Sequence, residues 1–482
     1  MSWRRISGVS TAVMTMLYAY LLDHWLTIHG LVVILGLAAY ATTSHTLHLR
    51  RNPSAAIGWV VSLALFPYMA LPLYLIFGIR KVRSHRPAHA TPKFPARPSN
   101  PGFLAYRTQQ LAATMSLPAA SPYRQLNLHE DGTRALQALR DMIDAATRSI
   151  DLCTFIFARD PLGEDISARL QRRARDGIRV RLLVDGVGAY LRGHADFSSL
   201  KAAGVEVALF VPPLRSPLRG RTNLRNHRKM LVTDGVRLWC GGRNLAAEYF
   251  EGEADSPPWL DLSFDLQGAL ASQAQQQFEH DWAFATRRAL PGPAYANSEN
   301  IPDGAATGQL IASGPDQADD TLNTLLVSGF LLANRRILAV TPYFVPNPTL
   351  LMSLTLAARR GVAVDLLLPR KSNHHMADLA RHRALRELTA AGGRVWLQPR
   401  MIHAKAVVID VELALAGSAN LDERSLFLNY ELMVAFYQPS AVRHFAEAVG
   451  RQLEHALAYR PRPAGLWREI AEGMLLWLAF QL

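Results

Sequence analysis

An internal repeat constrains this chain more than any other feature. Asn226-His227-Arg228-Lys229-Met230-Leu231-Val232-Thr233-Asp234 contains the pattern H-x-K-x4-D, and His403-Ala404-Lys405-Ala406-Val407-Val408-Ile409-Asp410 contains it again. An asparagine follows each histidine at one common spacing: Asn244 in Gly241-Gly242-Arg243-Asn244, and Asn420 in Gly417-Ser418-Ala419-Asn420. Only six of the 52 basic residues are lysines, Lys81, Lys93, Lys201, Lys229, Lys371 and Lys405. At that lysine content a single chance match arises in about one chain in a hundred. Two matches with equal spacing mean a duplicated unit. Where arginine supplies nearly every positive charge, a lysine marks a place that needs a compact ammonium.

Similar runs precede the two motifs. Ser149–Phe157 is strand-like, a helical pattern runs to Ala174-Arg175-Asp176-Gly177, and Ile178–Val184 is an apolar strand. Arg336–Val345, a pattern ending in Ala358-Arg359-Arg360-Gly361, and Val362–Leu368 repeat that order. Strand, helix, Gly stop and apolar strand form a βαβ unit. The expected fold class is therefore α/β, with two similar modules of mixed sheets flanked by helices, packed as one bilobed unit. The boundaries fall at 126–290 and 316–465, with linkers at 82–125 (basic and rich in Pro) and 291–315, and a tail at 466–482.

The first 81 residues are of another kind. Leu26–Ala41 and the uncharged residues after it form one apolar stretch, and Ser54–Ile79 runs without a charge. Each is long enough to cross a hydrocarbon layer as a helix, which predicts a membrane hairpin over about 26–46 and 55–79. Two long runs do not match a signal peptide. Thr11–Leu22 is a third, shorter stretch. With two spans, Arg4, Arg5, Arg80, Lys81, Arg83 and Arg86 share one side against Arg50 and Arg51, which puts the C-terminal bulk in the cytosol. With three spans the tally is even. The formal net charge of +13 favours an anionic partner such as a phospholipid surface, a phosphorylated substrate or nucleic acid. Cys153 and Cys240 are too few for a disulfide framework.

The motifs carry chemistry. On a strand, a His and a Lys two residues apart share a face, while the Asp seven residues after the His faces the other way. Asp234-Gly235 is a tight-turn pair, so a hairpin returns Gly241-Gly242, and in the second copy Gly417-Ser418, beside the His-Lys patch. Two such patches facing each other make a symmetric anion site. They suit phosphodiester exchange: one His attacks phosphorus, and the other protonates the departing alkoxide, then deprotonates an incoming alcohol or water. The candidate catalytic residues are His227, Lys229, Asp234, His403, Lys405 and Asp410, and the candidate substrate-binding residues are Asn244, Ser418 and Asn420. No metal and no cofactor is expected, since the lysines supply the positive charge.

The motifs resemble those of the phospholipase D superfamily, and essentially the whole chain resembles its bacterial cardiolipin synthase branch. The resemblance rests on the two motifs, on Arg50-Arg51-Asn52-Pro53 through Phe77-Gly78-Ile79-Arg80-Lys81, on Thr341-Pro342-Tyr343-Phe344-Val345-Pro346, and on Asn420-Leu421-Asp422-Glu423-Arg424-Ser425. It implies a bacterial inner-membrane enzyme that moves a phosphatidyl group onto phosphatidylglycerol, with anionic phospholipids and the membrane as partners rather than nucleic acid. It also implies that Glu431 orients His403 and that Asp261 serves His227. Leu260 and Ser263 depart from the family pattern around Asp261. Phospholipase D hydrolysis, a superfamily nuclease and a membrane scaffold are the competing functions. His374-His375 is expected to be a loop pair rather than a metal site, and the Arg run 169–181 a solvated helix face. Tyr343 and Phe344 fit an acyl-chain entrance or the core equally. The tail from Leu466 fits an interfacial or a docked helix.

Overall fold

The computed structural model describes residues 23–47, 53–78, 102–193, 196–212, 223–253, 256–289, 306–317 and 319–463, with 465, 468, 469, 472 and 473 of the tail. It divides into two compact units, one holding the N-terminal segment and the other both repeats. The stretch Thr11–Leu22 lies outside the described residues.

In the N-terminal unit, Trp25–Leu47 is a helix without a charged side chain, and it is long and apolar enough to cross a membrane. The expected second span is not one helix. It breaks into Pro53–Leu65 and Pro67–Phe77, with Phe66 between them at φ −131° and ψ 53°. Pro67 is the cause, because a proline ring disfavours helical backbone at the residue before it. Leu63, Ala70 and Tyr74 are buried together, with Trp59 edge-on to Tyr74 at 5.1 Å. Leu31, Ile34, Leu35 and Ile57 point outward, as side chains that meet lipid would.

The two repeats build two sheets of one design. The first has seven strands in the order Arg124–His129, Ser263–Gln267, Arg237–Gly241, Met230–Thr233, Ser149–Thr154, Arg179–Asp185, Glu206–Phe210. Its last three are parallel and the others antiparallel. In the second sheet Thr307–Ser313, Glu431–Phe436, Leu413–Gly417, Ala406–Ile409, Arg336–Val340, Ala363–Pro369 and Arg394–Gln398 follow that order. Ser121–Pro122 and Leu457–Ala458 extend its two edges. Each module has its own apolar core.

Both expected linkers contain structure. Within 82–125, Phe103–Thr114 is a helix whose Leu104, Ala105 and Ala112 are buried in the second module's core. Within 291–315, Thr307–Ser313 is an inner strand of the second sheet, so that module starts before residue 316.

The aspartates of the two motifs lie in the turns of their hairpins, away from the histidines. Asp234 and Asp410 both have left-handed backbone, at φ 56° and 53°. Asp234 accepts hydrogen bonds from the backbone N–H groups of Thr147, Arg148 and Ser149, and Asp410 from those of Asn334, Arg335 and Arg336. Their expected catalytic role is therefore corrected: each carboxylate pins its hairpin to the start of the neighbouring strand. Asp234→Ala or Asp410→Ala should cost about 1–2 kcal/mol of stability through unpaired N–H groups that water partly reaches. A lower Tm with most of the activity per folded molecule retained is the expected outcome; an unchanged Tm with lost activity would restore the catalytic role.

Candidate active site

The histidines stand where the modules touch. His227 and Lys229 precede the Met230–Thr233 strand, and His403 and Lys405 precede Ala406–Ile409. Each His-bearing segment pairs with the other module. Tyr430 N–H donates to the Arg225 carbonyl and His227 N–H to the Tyr430 carbonyl, both at 2.9 Å. Leu260 N–H donates to the Met401 carbonyl at 2.9 Å, and His403 N–H to the Leu260 carbonyl at 2.6 Å. These are two parallel bridges of one pattern, and the residue after each bridge is a carboxylate: Glu431 after Tyr430, Asp261 after Leu260.

The carboxylates therefore cross between modules. Asp261 Oδ2 lies 2.8 Å from His403 Nδ1, and Glu431 Oε1 lies 3.3 Å from His227 Nδ1. This reverses the expected pairing of Asp261 with His227 and of Glu431 with His403. A carboxylate facing Nδ1 favours the proton on that nitrogen and turns Nε2 away from the carboxylate. Each ammonium folds back onto the carbonyl of its own histidine, Lys229 Nζ to His227 O at 2.7 Å and Lys405 Nζ to His403 O. Lys405 Nζ is also 3.0 Å from His403 Nε2.

Burial sets the electrostatics. Lys229 and Lys405 are almost wholly enclosed, as are Asp261 and Glu431. Burial, assisted by the neighbouring Lys229, pushes His227 down to about 4, and burial with Lys405 pushes His403 to about 3. Burial also lowers Lys229 to about 8 and Lys405 to about 7. It pushes Asp261 and Glu431 upward, but the facing histidines and the lysines outweigh it and hold both below the usual range. Lys405 also acts on His227, and Lys229 on His403, so the four groups share one space. Two ammonium groups balance two carboxylates while both histidines are neutral. An entering phosphodiester monoanion disturbs that balance by one charge, which one protonated histidine restores.

The other predicted residues take supporting places. Ser418 Oγ donates to Glu431 Oε2 at 2.6 Å and accepts from Leu432 N–H, so it holds a carboxylate rather than facing a ligand. Asn244 is engaged at both ends, donating to Tyr249 Oη at 2.9 Å and accepting from Ile156 N–H. Buried Asn420 has an Oδ1 without a hydrogen-bond partner among the described residues. Phe155 packs on His227, with ring centroids 4.5 Å apart, and Tyr249 stands edge-on to His403 at 5.0 Å.

Two buried arginines brace the site. Arg228 Nε donates to the Glu431 carbonyl at 3.1 Å, and its guanidinium pairs with Asp281. Arg243 Nη2 donates to the Asp261 carbonyl at 3.0 Å, and Nη1 to Ser263 Oγ. A guanidinium thus anchors the backbone of each orienting carboxylate. In so Arg-rich a chain nothing in composition marks these two.

The family model described as "Cardiolipin synthase, PLD-like domain" matches residues 139–282 and 327–453, which contain both His-Lys pairs and both carboxylates. The chain belongs to this cardiolipin synthase family of phospholipase D-like proteins. It is 32% identical over 440 residues to cardiolipin synthase A of Pseudomonas putida (strain W619), covering 88% of this chain and 90% of that one. Against cardiolipin synthase A of Pseudomonas aeruginosa (strain LESB58) it is 31% identical over 420 residues, covering 84% and 85%. The fold is shared with a crystal structure of phosphatidylserine synthase from Haemophilus influenzae Rd KW20 at TM-score 0.60 and 16% identity, covering 77% of this chain and 96% of that one. In this cardiolipin synthase family member, the lowered lysine pKa values give the free enzyme an alkaline limit. As pH rises through about 7 and then 8, Lys405 and Lys229 lose their charge, so kcat/KM for an anionic substrate should fall. In Lys405→Arg the guanidinium stays charged, and the first part of that limb should disappear from the pH profile. An identical limb in the variant would assign it to another group.

Proposed function

We propose that this chain is a cardiolipin synthase that transfers a phosphatidyl group from one phospholipid to phosphatidylglycerol through a phosphohistidine. The observation that carries the proposal is the shared buried cluster, in which two neutral imidazoles, each oriented through Nδ1, meet two ammonium groups. In the first step, Nε2 of one histidine bonds to the donor phosphorus while the bond from phosphorus to the headgroup oxygen breaks. The other histidine, protonated as the anion enters, gives its proton to the departing alkoxide. With phosphatidylglycerol as donor the released alcohol is glycerol; phosphatidylethanolamine as donor would release ethanolamine. In the second step that histidine takes the proton of the acceptor's glycerol hydroxyl. The hydroxyl oxygen then bonds to phosphorus and the first histidine leaves. Lys229 and Lys405 neutralise the non-bridging oxygens throughout, and we assign Asn420, whose buried Oδ1 has no hydrogen-bond partner among the described residues, to a substrate hydroxyl.

Family membership and the apolar Trp25–Leu47 helix support work at a membrane. We assign the chain to the bacterial inner membrane with its catalytic unit on the cytosolic side, where the juxtamembrane cations favour it. Water in place of the acceptor alcohol would make the same site a phospholipase D, since only the exclusion of water separates transfer from hydrolysis.

The purified protein, given phosphatidylglycerol in detergent, should yield cardiolipin and glycerol by mass spectrometry. Phosphatidic acid as the sole product would make it a hydrolase instead. His227→Ala and His403→Ala should each lower turnover by about a thousandfold or more. Near-normal activity in either variant would refute the two-histidine mechanism.

A further inference from the structure

Lys371 and the His374-His375 pair stand outside the catalytic cluster. Lys371 is in the loop that leaves the C-terminal end of the Ala363–Pro369 strand, His374 caps the short His375–Ala380 helix that follows rather than sitting in a loop as expected, and Lys371 and His375 help line a cavity of about 320 Å³. Arg370 and Arg381 line the same cavity, and Leu379, Leu385 and Leu397 supply apolar surface. The lining is thus cationic on one part and apolar on another.

The positive charge is not cancelled. Asp378 is the single carboxylate of the lining, and it is committed: Oδ1 lies 3.0 Å from Arg381 Nη1, and Oδ2 accepts from Ser372 N–H at 2.8 Å. Among the described residues, exposed Arg370 and Lys371 form no ion pair. Arg381 is 4% exposed and donates through Nη1 and Nη2 to the Pro369 and Arg370 carbonyls, while its buried Nε has no hydrogen-bond partner among the described residues. A phosphate ester is the natural partner for the exposed Arg370 and Lys371 cations that line this cavity.

The cavity lies on the reactive edge of the second sheet. Ala406, three residues after His403, pairs with Val340 at the C-terminal end of its strand, and Pro369 ends the next, parallel strand. Two to three strand spacings therefore separate the cavity from His403, about 10–15 Å. Tyr343 packs on the segment after the Ala363–Pro369 strand: its hydroxyl donates to Asn373 Oδ1 at 2.5 Å, and its ring meets His374 at 5.9 Å. A three-carbon glycerol bridge is too short to put one phosphate at the histidines and its other phosphate here, so the occupant is a separate molecule.

We propose that this cavity is a second, non-catalytic site that binds the phosphate ester of an anionic phospholipid headgroup beside the active centre. The choice of a lipid over a free phosphate rests on the phospholipid transferase reading; the choice of a phosphate group does not. The scarcity of lysine supplies the test. Amine acylation of the full-length protein with His227→Ala and His403→Ala, mapped by mass spectrometry, reports Lys371, with exposed Lys201 of the first module as the internal control.

Short-chain phosphatidylglycerol near saturation should slow acylation of Lys371 about fivefold and leave Lys201 unchanged. Inorganic phosphate is the second arm. Protection by lipid with or without protection by phosphate supports the site. Protection by phosphate alone overturns the lipid assignment, and no protection by either overturns the site. Arg370→Glu/Lys371→Glu, a pair of surface changes, should in native mass spectrometry retain one bound lipid fewer than its parent. An unchanged stoichiometry contradicts the proposal. Because binding is read in a protein without its histidines, failure here leaves the transferase reading intact, and the product assay decides that reading separately.

Discussion

The site depends on a contact made twice across the interface of the two modules, a carboxylate of one repeat against the histidine of the other. Asp261 reaches His403, and Glu431 reaches His227. Neither imidazole is oriented by its own module. The backbone bridges at Tyr430 and Leu260 impose the crossing, because they fix the residue after each bridge beside the partner's histidine. Removing either histidine would leave its buried carboxylate without that hydrogen-bond partner, which is costly in so enclosed a place. Arg228 and Arg243 each hold the backbone of one of these carboxylates through its carbonyl.

The crossed arrangement also accounts for the chemistry. A lone His-Lys pair could bind an anion, but it could not supply a nucleophile and an acid to the same phosphorus. The proposed mechanism asks two oriented rings in one enclosed space to do both, with the balance of two ammonium groups and two carboxylates keeping both rings neutral until an anion arrives. The symmetry is not complete. Glu431 is longer by one methylene than Asp261 and has Ser418 on its second oxygen, whereas the matching position of the first repeat is Gly242. There a Cβ would come within 2.2 Å of Asp261 Oδ1, so only glycine leaves room for that carboxylate.

Much of this was legible in the sequence, and the failures have physical causes. The repeat predicted two like modules, and the strand period placed His227 with Lys229 and His403 with Lys405. Spacing could not tell a catalytic aspartate from a turn aspartate, and Asp234 and Asp410 are the latter. The crossing was not legible, because it depends on which segments meet across an interface between distant parts of the chain. Phe103–Thr114 was hidden by its Pro-rich surroundings, although Leu104, Ala105, Thr108 and Ala112 follow a helical stripe. The break at Phe66 was legible in Pro67, but uniform hydropathy across Ser54–Ile79 concealed it.

The crossed pairing can be observed at the imidazoles themselves. With ¹⁵N-labelled histidine in the detergent-solubilised protein, the ring signals of His227 and His403 are assigned by their loss in the alanine variants. Asp261→Asn should then shift the ring nitrogens of His403 and leave those of His227 nearly in place, and Glu431→Gln should do the reverse. If Asp261→Asn moved His227 while leaving His403 unchanged, each module would orient its own histidine and the crossed site would be contradicted.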